Sequence, residues 1–248
     1  MTELEMLLTD KEMPFEAAVE HFGNRVTLTA KQFYRLLPKY RSLAFSVSGY
    51  TSAQILSKFY SAVLDAIENG TSMDTFRREM SSFLEDEGYC GLTPFQSDNI
   101  FRTNVQTAYN VGHYEEMTAP KVKALRPYWQ YDAVHDRHTR PSHLAMDGKV
   151  FPADSPVWDT WYPPNGFRCR CTVRTLSERQ VQQRGLTVEQ SVPRGEELPD
   201  GRFVSMQPDP NFDSNPAKMR WAPDLSGMPK PLAEAYLARE AKKSTAQR

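Results

Sequence analysis

Arg126-Pro-Tyr-Trp-Gln-Tyr-Asp-Ala-Val134 and Cys171-Thr-Val-Arg-Thr-Leu176 bracket the stretch whose reading decides the fold. The first is rich in aromatics and alternates in polarity, the pattern of a strand with one face on a core. The second reads as another strand. Between them, residues 135–170 carry Pro141, Gly148, Pro152, Pro156, Pro163, Pro164 and Gly166, and so read as a long loop-rich excursion. Two strands joined in this way predict a small antiparallel sheet. Just after the second strand, Ser177 is placed to cap a short helix, SERQVQQRG, that Gly185 ends.

Upstream the texture is helical. Pro14 stands at a plausible first helical position before Phe15 to Phe22, and Gly23-Asn24 stops that segment. A second short helix is expected from Ala30 to Leu37, ending before Pro38. Ser42 to Tyr50 is ambiguous between a short strand and an extended link. Ile55, Leu56, Phe59, Tyr60, Val63 and Ile67 share one face of a helix that Thr51 or Ser52 can cap and Asn69-Gly70 closes. Asp74 is a candidate cap for the next helix, whose apolar face is Phe76, Met80, Phe83 and Leu84. A long helix is expected from Pro94 to about Met117. Amphipathic helices must bury their stripes. The predicted fold class is therefore α+β: an N-terminal helical region packed with a small antiparallel sheet bearing a long loop-rich excursion. The expected organisation is a helical region at 1–120, a small β-containing core at 121–192, and at 193–248 an extended Pro-rich segment with a final helix from Leu232 to Lys243.

Composition excludes some classes. With 30 basic and 31 acidic residues, no global field draws the chain to nucleic acid or acidic lipid. No stretch approaches the ~18 apolar residues of a membrane span. The start, MTELEMLLTDKEM, lacks the basic and apolar regions of a secretory signal, which predicts a cytosolic protein. Three cysteines, Cys90, Cys169 and Cys171, are too few for a disulfide framework.

Taken in order, several motifs carry a family resemblance. They are Tyr131-Asp-Ala-Val-His-Asp136-Arg-His-Thr139-Arg140-Pro141-Ser-His143, then Asp147-Gly148-Lys149-Val150-Phe151, then Trp158-Asp-Thr-Trp-Tyr162-Pro163-Pro164-Asn165-Gly166-Phe-Arg-Cys169-Arg170-Cys171. Upstream stand Phe101-Arg102-Thr103-Asn104 with Ala108-Tyr109-Asn110-Val111-Gly112, residues 14–22 and Leu43 to Val47; downstream stands Asp209-Pro-Asn211-Phe-Asp-Ser-Asn-Pro216. This ordered set resembles the Mu F-like phage head morphogenesis family, over roughly residues 14–216. The resemblance implies a minor head protein that assists capsid assembly at the portal or the procapsid interior, and not an enzyme. Its implied partners are the portal protein and a scaffold or major capsid protein, with packaged DNA as a further candidate, and no membrane. Its implied location is the virion head, after assembly in the host cytoplasm. The motif residues are Arg102, Asn104, Asp136, Arg140, His143, Asp147, Gly148, Pro164, Asn165, Gly166 and Arg170. Relatives usually carry Gly at the Asn211 position, and many carry Cys-x-x-Cys where this chain has Arg140 and His143. Some are fused to toxin domains, and the short stretch after Pro216 predicts none here.

Read for chemistry, His143, Cys169 and Cys171 are ligand types that zinc favours, with His135, Asp136 and His138 near in sequence. One histidine and a Cys-x-Cys pair fall short of a full tetrahedral set, so zinc is a candidate cofactor and not a requirement. The plainer reading has Cys169 and Cys171 at the start of a strand, one buried and one facing out. Asp147-Gly148 suits a hairpin turn with positive φ, and Gly166 is expected to supply an unusual backbone angle. Arg102 and Asn104 on the long helix either face solvent or, the favoured expectation, brace the excursion through its carbonyls. Arg137, Arg140, Arg168, Arg170 and Arg174 form a basic cluster that either meets portal carboxylates or DNA, or pairs with nearby Asp136, Asp147, Asp154 and Asp159. Tyr128, Trp129, Tyr131, Trp158, Trp161, Tyr162 and Phe167 make either a small core or a protein-binding surface. The competing functions are a metal-dependent hydrolase or nuclease and a toxin-associated prophage domain. Against the first stands the lack of His-Glu-x-x-His, Walker or Gly-x-Ser-x-Gly motifs.

Overall fold

Period-3.6 stripes in the first half of the chain build one core, and period-2 alternation in the second builds another. The computed structural model describes residues 15–35, 44–197 and 201–218. The expected final helix from Leu232 to Lys243, and the Pro14 start, lie outside them.

The helical region opens with α1 (Phe15–Gly23), β1 (Val26–Thr27), α2 (Ala30–Arg35) and β2 (Ala44–Phe45). The ambiguous Ser42–Tyr50 segment thus contributes a two-residue strand, which pairs in parallel with β1. Then come α3 (Ala53–Asn69) and α4 (Met73–Asp86). Gly70 closes α3 in the left-handed conformation at φ 70°, as its position predicts. The cap of α4 is Ser72, whose hydroxyl accepts from the Thr75 amide; Asp74 sits inside the first turn and favours the positive end of the helix dipole instead. Phe22, Phe45, Ile55, Leu56, Phe59, Val63, Ile67, Phe76, Met80 and Leu84 are all buried in one cluster.

The long helix, α5 (Pro94–Thr118), carries a full capping box between Thr93 and Gln96. At 1.5 Å per residue it is about 37 Å long, enough to serve two cores. Ala108 packs into the first and Met117 into the second. Wedged between them, α5 buries Thr107, Asn110 and Gly112 as well as Val111, so it shows no clean apolar stripe.

After α6 (Pro120–Leu125), the strand β3 (Tyr128–Asp132) runs as expected. It is the central strand of a three-stranded antiparallel sheet in the order β4-β3-β5, with β4 at Val150–Pro152 and β5 at Thr172–Leu176. Trp129 lies opposite Phe151 on one side and Thr175 on the other. Trp129 and Tyr131 point inward and are fully buried, while Tyr128, Gln130 and Asp132 stay partly exposed. The excursion is more structured than its prolines predict: it holds α7 (Pro141–Met146), β4 and α8 (Val157–Thr160). A three-residue strand ending in proline is too short to show alternation. The Ser177 capping box starts α9 (Glu178–Gln183), as read.

Beyond Pro193 the chain is not simply extended. β6 (Gly195–Glu197) and β7 (Phe203–Ser205) pair antiparallel, and a 3-10 turn follows at Pro216–Lys218. Met206 and Asn215 are buried against the excursion.

Candidate functional site

The excursion is where the motif residues gather. His143 sits on α7, reached through a turn whose Asp136 accepts from the His138 amide at 2.9 Å. Its imidazole Nδ1 faces two sulfurs at once, Cys171 Sγ at 3.5 Å and Cys169 Sγ at 3.8 Å. Its other nitrogen, Nε2, is buried without a hydrogen-bond partner. Both cysteines are buried, at 3% and 2% exposure. The expectation of one in and one out does not hold: residues two apart in an extended chain share a face, and here both turn inward to His143. The hydrogen bond from Cys171, together with His143, holds the Cys169 thiol well below its ordinary range. The same bond and burial push Cys171 up. Tyr131 is next to them, its phenol pushed well up by burial.

Asn165 is the hub of the turn after Pro163-Pro164, a cis peptide bond. It is fully buried. Its Oδ1 accepts from the Tyr131 hydroxyl at 3.0 Å, its Nδ2 donates to Thr160 O at 3.2 Å, and its carbonyl accepts from the Asp209 amide at 2.9 Å. Gly166 does not supply a positive φ; that angle falls on Arg168, at 59°. Glycine is needed at 166 for space, since a Cβ there would collide with the Asp209 carboxylate and lie 2.9 Å from Arg140 Cζ. Arg140 and Asp209 form an ion pair at 2.8 Å, and Arg140 also donates to Phe167 O. Asn211 has φ 73°, the left-handed region in which Gly is at ease and Asn tolerated, which accounts for the residue types the resemblance brings to that position.

Asp147 and Gly148 stand at a turn from helix into strand and not in the hairpin turn that Asp-Gly suggests. Asp147 Oδ1 accepts from the Ala133 amide at 2.7 Å and Oδ2 contacts His135 Nε2 at 2.6 Å. Gly148 turns the chain at φ 74° from α7 into β4 and donates its amide to Tyr131 O. Pro164 lines a cleft of about 300 Å³ with Phe167 and Phe212.

Arg102 and Asn104 do not brace the excursion. Arg102 pairs with Asp98, one turn back on the same helix. Asn104 donates to Ile100 O and accepts from Arg25 at 2.9 Å, so it ties the helix to the N-terminal region. The bracing comes from the neighbouring turns of α5. Thr103 Oγ1 accepts from the Arg168 amide at 3.1 Å. Asn110 Nδ2 donates to Cys171 O at 3.3 Å, and Asn110 O accepts from the Tyr162 hydroxyl at 2.8 Å. His113 Nε2 lies 2.8 Å from Val173 O, which can only accept, so the proton resides there. Two of these bonds satisfy carbonyls, Cys171 O and Val173 O, and one satisfies the Arg168 amide. Thr103 stood in the Phe101–Asn104 motif with no role read for it, and His113 carried no sequence signal beyond its place on a helix. Asp98 had one, an acidic residue four before Arg102. Asn215, buried and donating to Trp158 O at 3.0 Å, lies in the downstream motif.

The basic cluster is largely neutralised, with partners partly different from those expected. Arg170 grips Asp136 with two bonds of 2.6 and 2.7 Å, and its guanidinium holds that carboxyl well below the usual range. Arg174 pairs with Asp132 and Arg168 with Asp98. Burial raises the Asp98 carboxyl, but hydrogen bonds from Arg102 and Arg168 outweigh it and leave it lowered. Asp147, Asp154 and Asp159 take His135, Lys123 and Lys218 instead of arginines. Arg102, Arg140, Arg168 and Arg170 line one surface cleft of about 460 Å³ together with Phe95 and Phe167. Phe95 and Phe167 are exposed, and the Arg168 guanidinium lies 5.0 Å from the Phe95 ring centre. The other aromatics form the inner core: Trp129, Tyr131, Trp158, Trp161 and Tyr162 are buried together.

Fold and site thus define an α+β protein whose versatile side chains are locked into its own packing around a braced, aromatic excursion. Residues 57–174, from α3 into β5, match the family described as Phage Mu protein F like protein. The chain is 37% identical over 171 residues to the Mu-like prophage FluMu F protein of Haemophilus influenzae, a match covering 64% of this chain and 41% of that protein. It is 32% identical over 192 residues to the putative capsid assembly protein F of Escherichia phage Mu, covering 71% of this chain and 43% of that one. The chain belongs to the phage Mu F-like family. It spans about two-fifths of the length of these curated relatives. No solved structure gives a significant match.

Proposed function

We propose that the protein is a minor structural component of a phage head that acts in head morphogenesis, at the portal or the procapsid interior. The observation that carries this reading is the match to a putative capsid assembly protein over 71% of the chain. The geometry supports it. The imidazole and thiols that a hydrolase would present to substrate are at most 3% exposed, and they sit behind the aromatic core. The exposed chemistry is of the docking kind: four arginines and two phenylalanines around one cleft. Arginine and aromatic side chains are what protein interfaces favour. Because Asp98, Asp136 and Asp209 answer those arginines, the cleft suits portal, scaffold or major capsid surfaces better than the dense charge of packaged DNA. The protein acts in the virion head after assembly in the host cytoplasm.

Mass spectrometry of purified heads and procapsids tests this. The expected result is the chain in the particle at fewer copies than the major capsid protein. Its absence from both particles would move the reading to a toxin-associated prophage domain.

A further inference from the structure

We propose that His143, Cys169 and Cys171 bind a zinc ion that staples the excursion to the rest of the fold. The inference is independent of where in the particle the protein acts.

The geometry comes first. The three ligand atoms lie within 4.8 Å of one another, and all three residues are buried. In a tetrahedral site with Zn–S of about 2.3 Å and Zn–N of about 2.0 Å, the N···S edge is roughly 3.5 Å. The observed distances from Nδ1 are 3.5 and 3.8 Å. One N–H can point at only one sulfur, whereas a cation at their common centre satisfies all three atoms. Charge argues the same way. Two thiolates and a neutral imidazole around a divalent ion give a neutral cluster, which is the form that burial tolerates. The thiolates select a soft or borderline metal over magnesium or calcium.

Among the described residues, no other His, Cys, Asp or Glu joins the group. His135 is held by Asp147, Asp136 by Arg170, and His138 lies beside Arg137. The fourth position falls to water. Burial of the three ligands separates the site from a catalytic one, which must admit substrate to that position. The role is mechanical. His143 stands on α7 and the cysteines lead into β5, 26 and 28 residues away in sequence. Cys171 O is itself held by Asn110 of α5. An ion here joins the far side of the excursion to the sheet and, through that carbonyl, to the long helix.

Elemental analysis of the purified full chain, desalted into metal-free buffer, tests the proposal. One zinc per chain is expected, unchanged in Cys90→Ser and reduced to background in Cys169→Ser/Cys171→Ser. Replacing zinc with cobalt in the wild-type chain should produce a thiolate-to-cobalt charge-transfer band, a readout that does not depend on any variant folding. Three results would overturn the proposal: a folded wild-type chain that takes up neither zinc nor cobalt, zinc retained in the double variant, or a Cys169–Cys171 disulfide in freshly purified protein. None of these bears on the match to capsid assembly proteins.

Discussion

The two halves of the molecule are held together by different physics. Around α3 and α4, burial is almost wholly aliphatic and phenylalanine, as with Ile55, Leu56, Phe59, Val63, Phe76 and Leu84. Backbone polar groups there are consumed by regular helices, so side chains need only fill space. Around the excursion buried Trp, Tyr, Asn, His and Cys stand among Met, Ala, Phe and Val. Carbonyls of its short helix α8, of β5 and of the turn before β5 take side-chain donors from Asn165, Asn215, His113 and Asn110, and the Tyr162 hydroxyl donates to Asn110 O of α5. The first half is a packing problem, the second a hydrogen-bonding one. Helix α5 belongs to both, and its lack of a clean stripe is the trace of that double duty.

The largest expected effects come from emptying either core. Phe59→Ala and Trp129→Ala should each cost about 3–5 kcal/mol in chemical denaturation. Because α5 is a shared wall, both variants should keep a single transition. Far-UV circular dichroism, which follows the helices, should coincide with tryptophan fluorescence, which follows the buried Trp129, Trp158 and Trp161. Two separated transitions would break the picture of one cooperative unit.

Next in size are single polar ties, to which only the excursion should be sensitive. Asn110→Ala leaves Cys171 O without its donor and should cost about 1–3 kcal/mol. Gly166→Ala forces apart the Arg140–Asp209 pair and should cost about 1–3 kcal/mol, through crowding and not through backbone angle.

Acid should act on the excursion selectively. Arg170 depresses the Asp136 carboxyl, so this pairing contributes fully above the unfolded carboxylate value of about 3.9 and is lost as pH falls through the depressed one. Burial depresses His113, whose contribution is present above its unfolded value of about 6.5 and declines as pH falls below it. In melting temperature against pH, His113→Gln should flatten the near-neutral limb, and Asp136→Asn only the most acidic one. Unchanged profiles in both variants would remove these groups from the account. The smallest effect expected is Cys90→Ser, an exposed thiol, within about 0.5 kcal/mol.

The helices of the first half were legible because burial there follows a 3.6 period, and caps such as Gly70 and the Ser177 box are local chemistry. β3 was legible through its alternation, whereas β4 and the β6–β7 pair were too short to declare themselves. The motif residues of the excursion could be named from sequence, but their contacts could not. Arg102 and Asn104 lie within about three turns of Thr103, Asn110 and His113, and the side of the helix that meets the excursion depends on how two cores settle against it.

The sequence by itself determined the α+β class, the long central helix and the membership of the phage Mu F-like family, because these rest on local periodicity and on motifs in order. Only the tertiary structure decided that both cysteines turn inward to His143, that Gly166 is needed for space, and that the braces are Thr103, Asn110 and His113. Each of these depends on which segments, distant along the chain, come within a few ångströms, and neither periodicity nor spacing carries that information.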